Sequence, residues 1–179
     1  MPIKQSVMRK RTRILGIDPG FRVTGYGLID TDGQESHYVG SGTIRAVVSD
    51  VPAERLELIY SEVSALVQHY QPAELSIERV FVHRNADSAL KLGQARAAAI
   101  CATFGRNMPV HEYAAREVKK GIVGKGSATK EQVQHMVSIL LNLGGEHAKM
   151  ELDASDALAI ALCHAHTRTL AQHYAEVLP

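Results

Sequence analysis

Apolar and polar positions follow two rhythms along this chain. Thr12 to Asp18 (TRILGID) is a short run rich in β-formers, closed by the turn signal Pro19-Gly20. Val23 to Gly33 (VTGYGLIDTDG) predicts a second strand with a hairpin turn at Asp32-Gly33, and His37 to Ala46 a third. Three strands joined by tight turns predict an antiparallel meander. The rhythm then changes. From Pro52 to about Tyr70, Leu56, Ile59, Val63, Leu66 and Val67 recur on one helical face, and Pro72 closes the pattern. LSIE (Leu75 to Glu78) is a short strand, and Asn85 to Phe104 is helical with Asn85 or Asp87 as its cap. Val110 to Tyr113 is a strand and Ala114 to Gly121 a short helix. A Thr129-capped helix runs to about Leu143, and a last helix from about Asp153 to Leu170. The order βββαβαβααα, without internal repeat, predicts an α/β fold: a mixed sheet, three antiparallel strands and then parallel βα units, flanked by helices. Residues 1–11 are expected to form a disordered basic arm, and residues 12–175 a single domain.

Composition narrows the class. The 179 residues are 45% hydrophobic and 22% charged, which excludes a disordered tail. No apolar run approaches the length of a membrane span, and the basic start MPIKQSVMRKRTR has no apolar core of a secretion signal. Cys101 and Cys163 are far apart and in no CxxC pattern, which suits a reducing compartment and argues against a disulfide scaffold. A cytoplasmic protein with no membrane contact is expected.

The net charge of +1 is uninformative, but its distribution is not. Residues 1–13 hold five Lys or Arg and no acid, residues 14–78 three basic and ten acidic residues, residues 79–130 ten basic and three acidic, and residues 131–179 two basic and six acidic. A basic middle block between acidic flanks can form a positive face for phosphates.

Four acids stand at element ends. Asp18 ends the first apolar strand and Glu78 the LSIE strand, and strand ends are where open α/β sheets place ligands. Asp153 and Asp156 are spaced i, i+3 at the start of an apolar helix, on one face. Together they could form an oxygen cage suited to a hard divalent ion such as Mg²⁺. Each also has a plain reading: Asp18 as a turn residue before Pro-Gly, Glu78 as a solvated strand end, and the Asp pair as helix cap and dipole partner. GKGSATK (Gly124 to Lys130) lacks the GK[ST] order of a P-loop. His164 and His166 lie on opposite sides of a helix and cannot share a metal, and the other histidines show no ligand spacing.

These blocks carry a resemblance. ILGIDPG with VTGYG (Ile14 to Gly27) resembles the opening of the ribonuclease-H-like nucleases. SIERVFVHRNADSALKLGQARAAAI (Ser76 to Ile100), EYAAREVKKGIVGKGSATKEQVQHMV (Glu112 to Val137) and LDASDALAIALCHAH (Leu152 to His166) are similar to blocks of the RuvC crossover junction endodeoxyribonucleases, the bacterial Holliday-junction resolvases. The resemblance runs from Thr12 to about His166. It implies a ribonuclease-H-like fold and a metal-dependent nuclease acting in recombination and repair. Such an enzyme nicks two opposing strands of a four-way DNA junction and leaves 5′-phosphate and 3′-hydroxyl ends.

By position, it implies that Asp18, Glu78, Asp153 and Asp156 are the catalytic acids and metal ligands. Lys119 and Lys130 match basic residues near the scissile phosphate, and Phe81 an aromatic that stacks at the branch point. The implied cofactor is Mg²⁺, two ions per subunit with Mn²⁺ able to substitute; Asp18 is expected to bridge them, with Glu78 on one and the Asp pair on the other. The implied partners are a second copy of the chain and the RuvA and RuvB branch-migration proteins. The basic block adds Arg79, Arg84, Lys91, Arg116, Lys119, Lys120, Lys125 and Lys130 as candidate DNA contacts, and His83 as a weaker one. Small residues from Ala86 to Ala99 make that helix a candidate dimer seam.

Three features depart from the family pattern: the basic arm, a longer polar segment at 144–151, and Arg79 in place of an uncharged residue. An actin-like phosphotransferase opens similarly, but needs a second such half that 179 residues cannot supply. A related nuclease acting on structured RNA is a rival reading of the same residues. So is a module that binds junctions without cutting them, although four intact acids argue against it.

Overall fold

The computed structural model describes residues 10–80, 85–144 and 150–177, with side chains described up to residue 170. The elements are β1 (Thr12–Asp18), β2 (Val23–Thr31), β3 (Ser36–Arg45), α1 (Pro52–Tyr70), β4 (Glu74–Glu78), α2 (Ala86–Cys101), β5 (Val110–Tyr113), α3 (Ala115–Val123), α4 (Lys130–Leu140) and α5 (Leu152–Val177). They form one five-stranded sheet in the order β3-β2-β1-β4-β5. β1, β2 and β3 pair antiparallel, while β4 pairs parallel with both β1 and β5. This is the mixed sheet that the sequence pattern predicts.

The period of two along β1 sorts its side chains into two cores. Leu15 and Ile17 face Ile59, Val63 and Val67 of α1 and Ala95 and Ala99 of α2. Ile14 joins Ile29 on the opposite face, under α5 and its neighbours α3 and α4. α5 is buried at nearly every position from Ala154 to Ala165, as expected of a helix apolar all round and enclosed between a sheet and two further helices.

Glycines set how close α5 comes to the sheet. A Cβ on Gly16 would lie 2.1 Å from the Ala157 carbonyl oxygen, one on Gly25 2.0 Å from that of Asp153, and one on Gly27 2.7 Å from Leu158 Cδ2. Gly16 pairs with Gly27, and Asp18 with Gly25. The three therefore form a bare strip on β1 and β2, against which the α5 backbone rests directly.

Several element ends differ from the sequence prediction, each for a local reason. β2 stops at Thr31, because the Asp32 carboxylate accepts the backbone N–H groups of Gln34 and Glu35 and extends the turn through Glu35. α2 stops at Cys101 rather than Phe104; a 3-10 turn over Phe104–Arg106 follows, ended by Asn107 at φ 49°. α3 runs on to Val123, where Gly124 at φ 82° terminates it. α4 ends at Leu140 rather than Leu143, with Asn142 at φ 50° just beyond. α5 starts one residue earlier than expected and continues to Val177. Most of the predicted basic arm (residues 1–9) and most of the polar segment 144–151 lie outside the described residues, as do Phe81, His83 and Arg84.

Candidate active site

β1 and β4 run parallel with Ile17 level with Ile77, so Asp18 and Glu78 end adjacent strands at the same edge of the sheet. Both project to the side that α5 covers. The first turns of α5 bring Asp153 and Asp156 to the same place. Oxygen atoms of Asp18, Asp153 and Asp156 lie within 4.8 Å of one another. Asp18 and Glu78 share a hydrogen bond. The four acids predicted from separate segments thus converge, with Asp18 between Glu78 and the α5 pair.

Two lysines join them. Lys130, the first residue of α4, places Nζ 2.5 Å from Asp156 Oδ2. Thr129 fixes that helix start: its hydroxyl accepts the Gln132 N–H, and the Gln132 side chain accepts the Thr129 N–H in return. Lys119 of α3 is the second. Asp18, Glu78, Asp156, Lys119 and Lys130 line one cavity of about 240 Å³, floored by Val118, Val133 and Ile160. A larger cavity of about 450 Å³ between the β2–β3 turn and the α4–α5 region holds Glu35, His37 and His166 but neither lysine nor arginine. Chemistry rather than size marks the site.

The electrostatics show a cluster short of positive charge. Burial, then the charges of Glu78 and Asp156, push the Asp18 carboxyl well above the usual carboxylate range, against the pull of Lys130. Glu78 is raised too, by burial; the Asp18 hydrogen bond opposes the shift and Asp156 adds to it. Both carboxyl groups of the pair are thus raised, with burial as the leading cause in each. Burial works against the Lys130 charge, but its hydrogen bond to Asp156 and the charges of Asp156, Asp18 and Asp153 outweigh it and raise its pKa. An all-oxygen donor set whose carboxyl groups are raised by burial and by mutual repulsion fits a divalent cation.

The other predicted contacts are distributed more widely. Arg79 follows Glu78, is exposed, and reaches the Glu112 backbone carbonyl at 3.4 Å. Lys120, Lys125 and Arg116 are exposed around α3 and the loop after it. Lys91 lies on α2 and is paired with Asp87 at 2.7 Å, one turn away. Of the small residues on α2, Ala95 and Ala99 pack into the core, whereas Ala86 and Ala97 are exposed beside Leu90.

Two sets of residues carry no clear signal in the sequence. Arg96 of α2 donates from Nε to the Glu78 carbonyl at 3.3 Å and forms an ion pair with Glu112, tying α2 to the backbone of the β4 acid. Its position in the basic block is visible in the sequence, but its partner is not. Gly16, Gly25 and Gly27 are the other set; they read as turn-prone strand residues, and their use as a helix rest depends on which face α5 covers.

Residues 14–164 match the family model described as Crossover junction endodeoxyribonuclease RuvC. The chain is 57% identical over 157 residues to the crossover junction endodeoxyribonuclease RuvC of Methylococcus capsulatus, covering 88% of this chain and 92% of that one. It is 55% identical over 163 residues to the Cronobacter sakazakii protein of the same name, covering 91% and 92%. Among solved structures it is similar to T. thermophilus RuvC in complex with Holliday junction substrate, with a TM-score of 0.82, 30% identity, and coverage of 89% of this chain and 96% of that one. With the fold, the acid cluster and these matches in agreement, this chain belongs to the RuvC family of crossover junction endodeoxyribonucleases.

Proposed function

We infer that this protein resolves Holliday junctions in recombination and repair, by hydrolysing one phosphodiester on each of two opposing strands. The observation that carries the reading is a cavity lined by Asp18, Glu78, Asp156, Lys119 and Lys130, with an Asp153 oxygen within 4.8 Å of those of Asp18 and Asp156. Relatives more than half identical over nearly the whole chain bear the nuclease name, and a similar protein is described in complex with a Holliday junction. Nothing favours an RNA substrate.

The four carboxylates would hold Mg²⁺, two ions per subunit with Mn²⁺ as a substitute. When bound, such ions supply a stronger water nucleophile and neutralise charge developing on the attacking and departing oxygens. The chain's own residues do the rest. Asp18, raised by burial and by its acidic neighbours, would be held as a carboxylate by the positive charge of the ions. Lys130, anchored by Asp156, is placed to turn toward a phosphoryl oxygen, and Lys119 approaches the same space from α3. Arg79, Arg116, Lys120 and Lys125 would extend the positive surface along which phosphates lie, with Lys91 further out on α2, and Arg84 is a further proposed contact from its place in the basic block. Phe81, two residues beyond the Arg79 that follows Glu78, would stack on an exposed base at the branch point.

A four-way junction is nearly two-fold symmetric, so a C2 homodimer presents one site to each opposing strand. The outer edge of α2, with Leu90 69% exposed beside Ala86 and Ala97, is the surface proposed for that contact. RuvA and RuvB are the proposed functional partners, and the cytoplasm the place of action; no helix among the described residues is long and apolar enough to cross a membrane.

The test uses a synthetic four-way junction with and without Mg²⁺. Paired symmetric nicks with Mg²⁺ alone are expected. Asp18→Asn removes a negative charge beside the phosphate and is expected to abolish nicking while retaining or tightening junction binding. Full activity in that variant would remove Asp18 from the mechanism.

A further inference from the structure

A second cluster of ligating side chains lies at the other end of the same two elements. Glu74 opens β4, His111 is on β5, and His164 is on α5. One donor atom from each lies within 4.8 Å of the other two. Glu74 Oε2 is 2.6 Å from His164 Nε2 and 3.8 Å from His111 Nε2. The two imidazoles are stacked, with centroids 4.1 Å apart. Glu74 and Glu78 are four residues apart on a strand, and Asp156 and His164 eight apart on a helix. Both separations come to roughly 12–13 Å, so this cluster is remote from the acid site yet shares its scaffold.

We propose that Glu74, His111 and His164 form a binding site for a borderline divalent metal ion of the Zn²⁺ class, distinct from the Mg²⁺ site. Two imidazole nitrogens and one carboxylate oxygen are a donor set that such ions take, with a water completing four-coordination. Bonds of about 2.0–2.1 Å at tetrahedral angles place donor atoms roughly 3.4 Å apart. The Glu74–His164 contact must therefore open by roughly 0.8 Å and the Glu74–His111 contact close by roughly 0.4 Å, and the exposed His111 ring must tilt out of its stack so that both nitrogens face the ion.

The surrounding groups already orient these donors. Tyr113 places its hydroxyl 2.7 Å from His164 Nδ1, and Arg168 donates from Nε to the far oxygen of Glu74 at 3.0 Å, leaving Oε2 directed at the histidines. Partners of this kind fix a ligating imidazole and carboxylate. His164 is 2% exposed, whereas the His111 side chain is 40% exposed and provides the way in from solvent. Without an ion, His164 Nε2–H donates to Glu74 and Nδ1 accepts from Tyr113. With the ion on Nε2, the same single proton resides on Nδ1 and is donated to the Tyr113 oxygen. Charge and protons balance without net proton release. The Arg168 charge opposes any dication here, which selects for ions that gain from nitrogen ligation and against Mg²⁺, whose preferred octahedral oxygen shell the cluster cannot build.

The experiment uses the full chain freed of metal by chelation and then held in excess Mg²⁺. Zn²⁺ is titrated by calorimetry, and Co²⁺ is used as a visible-absorbing probe. One equivalent is expected to bind, with a rise in Tm and Co²⁺ bands of a low-symmetry nitrogen-containing site. His111→Phe keeps the stacked ring but removes the donor, and is expected to lose that binding at an unchanged metal-free Tm. Asp18→Asn is expected to retain it. Absence of Zn²⁺ and Co²⁺ binding, binding undiminished in His111→Phe, or binding lost in Asp18→Asn would each overturn the proposal. Only the last outcome directs the ion to the acid cluster, so junction cleavage and this site are judged separately.

Discussion

Gly25 provides the sharpest test of how the active site is built. A methyl group there would lie 2.0 Å from the Asp153 carbonyl oxygen, where ordinary contact begins at 3.4 Å. The obstructing atom is backbone in the first turn of α5, and no side-chain rotation can relieve it. In Gly25→Ala the start of α5 must therefore retreat by about 1.4 Å, carrying Asp153 away from Asp18. Misplacement of a reacting group by about 1 Å costs on the order of 100-fold in rate, so nicking of a synthetic junction should fall at least that far. Overpacking should also cost about 1–3 kcal/mol, and a few degrees of Tm. The two effects are separated by measuring the Mg²⁺ concentration for half-maximal rate. Loosened folding alone leaves it unchanged, whereas a displaced Asp153 raises it. Gly27→Ala meets Leu158 backbone nitrogen at 2.8 Å and should fall between Gly25→Ala and the wild type. Gly105→Ala, with nothing within 4 Å, should match the wild type. A Gly25→Ala protein with wild-type rate and wild-type Mg²⁺ dependence would refute the role of the glycine strip.

Three further outcomes are expected. Mg²⁺ at about 100 times its dissociation constant should raise the wild-type Tm by roughly 5 °C or more, and Asp18→Asn should remove most of that rise; equal shifts in both proteins by scanning calorimetry would place the ion elsewhere. Each of Lys119, Lys120 and Lys125 that touches a phosphate should, when changed to Ala, lower the slope of log binding constant against log salt by about one; unchanged slopes would exclude that lysine. Arg13 grips Asp30 with two hydrogen bonds of 2.8 Å, which hold the Asp30 carboxyl below its usual range. Its stabilisation is therefore complete above about pH 4, the carboxylate's value in the unfolded chain, and lost as pH falls through the lower folded value. Acid melts of Asp30→Asn should show a shallower loss of stability in that window than the wild type.

Local rules in the sequence account for much of this fold. Period-two runs give the strands, Pro52 begins α1, and Asn85 and Thr129 cap the helices that follow them. Helix ends are less legible. Asn107 and Asn142 take left-handed conformations that glycine signals more plainly, and α2 and α4 are shorter than their apolar patterns. The four acids are legible because a carboxylate at the end of an apolar element is costly and invites explanation. Arg96, by contrast, is one arginine in a basic block until β4 and β5 bring Glu78 and Glu112 to it. The Glu74, His111 and His164 group comes from three elements with no common spacing, so no local pattern could foretell it.

The packing around the acids explains how a self-repelling set keeps its shape. Asp18 and Glu78 are fixed by strand pairing, and Asp153 and Asp156 belong to a helix whose next turns are enclosed by the sheet on one side and α3 and α4 on the other. Leu158, Ile160 and Leu162 each contribute about 1.5–3 kcal/mol when fully buried, and moving the two aspartates apart would withdraw such side chains from their packing. The raised pKa of Asp18 is the local cost of that constraint. A site that repels itself yet cannot relax is prepared to take up a cation without rearranging its backbone. The bare glycine strip is part of that constraint, because it sets how closely the α5 aspartates approach Asp18.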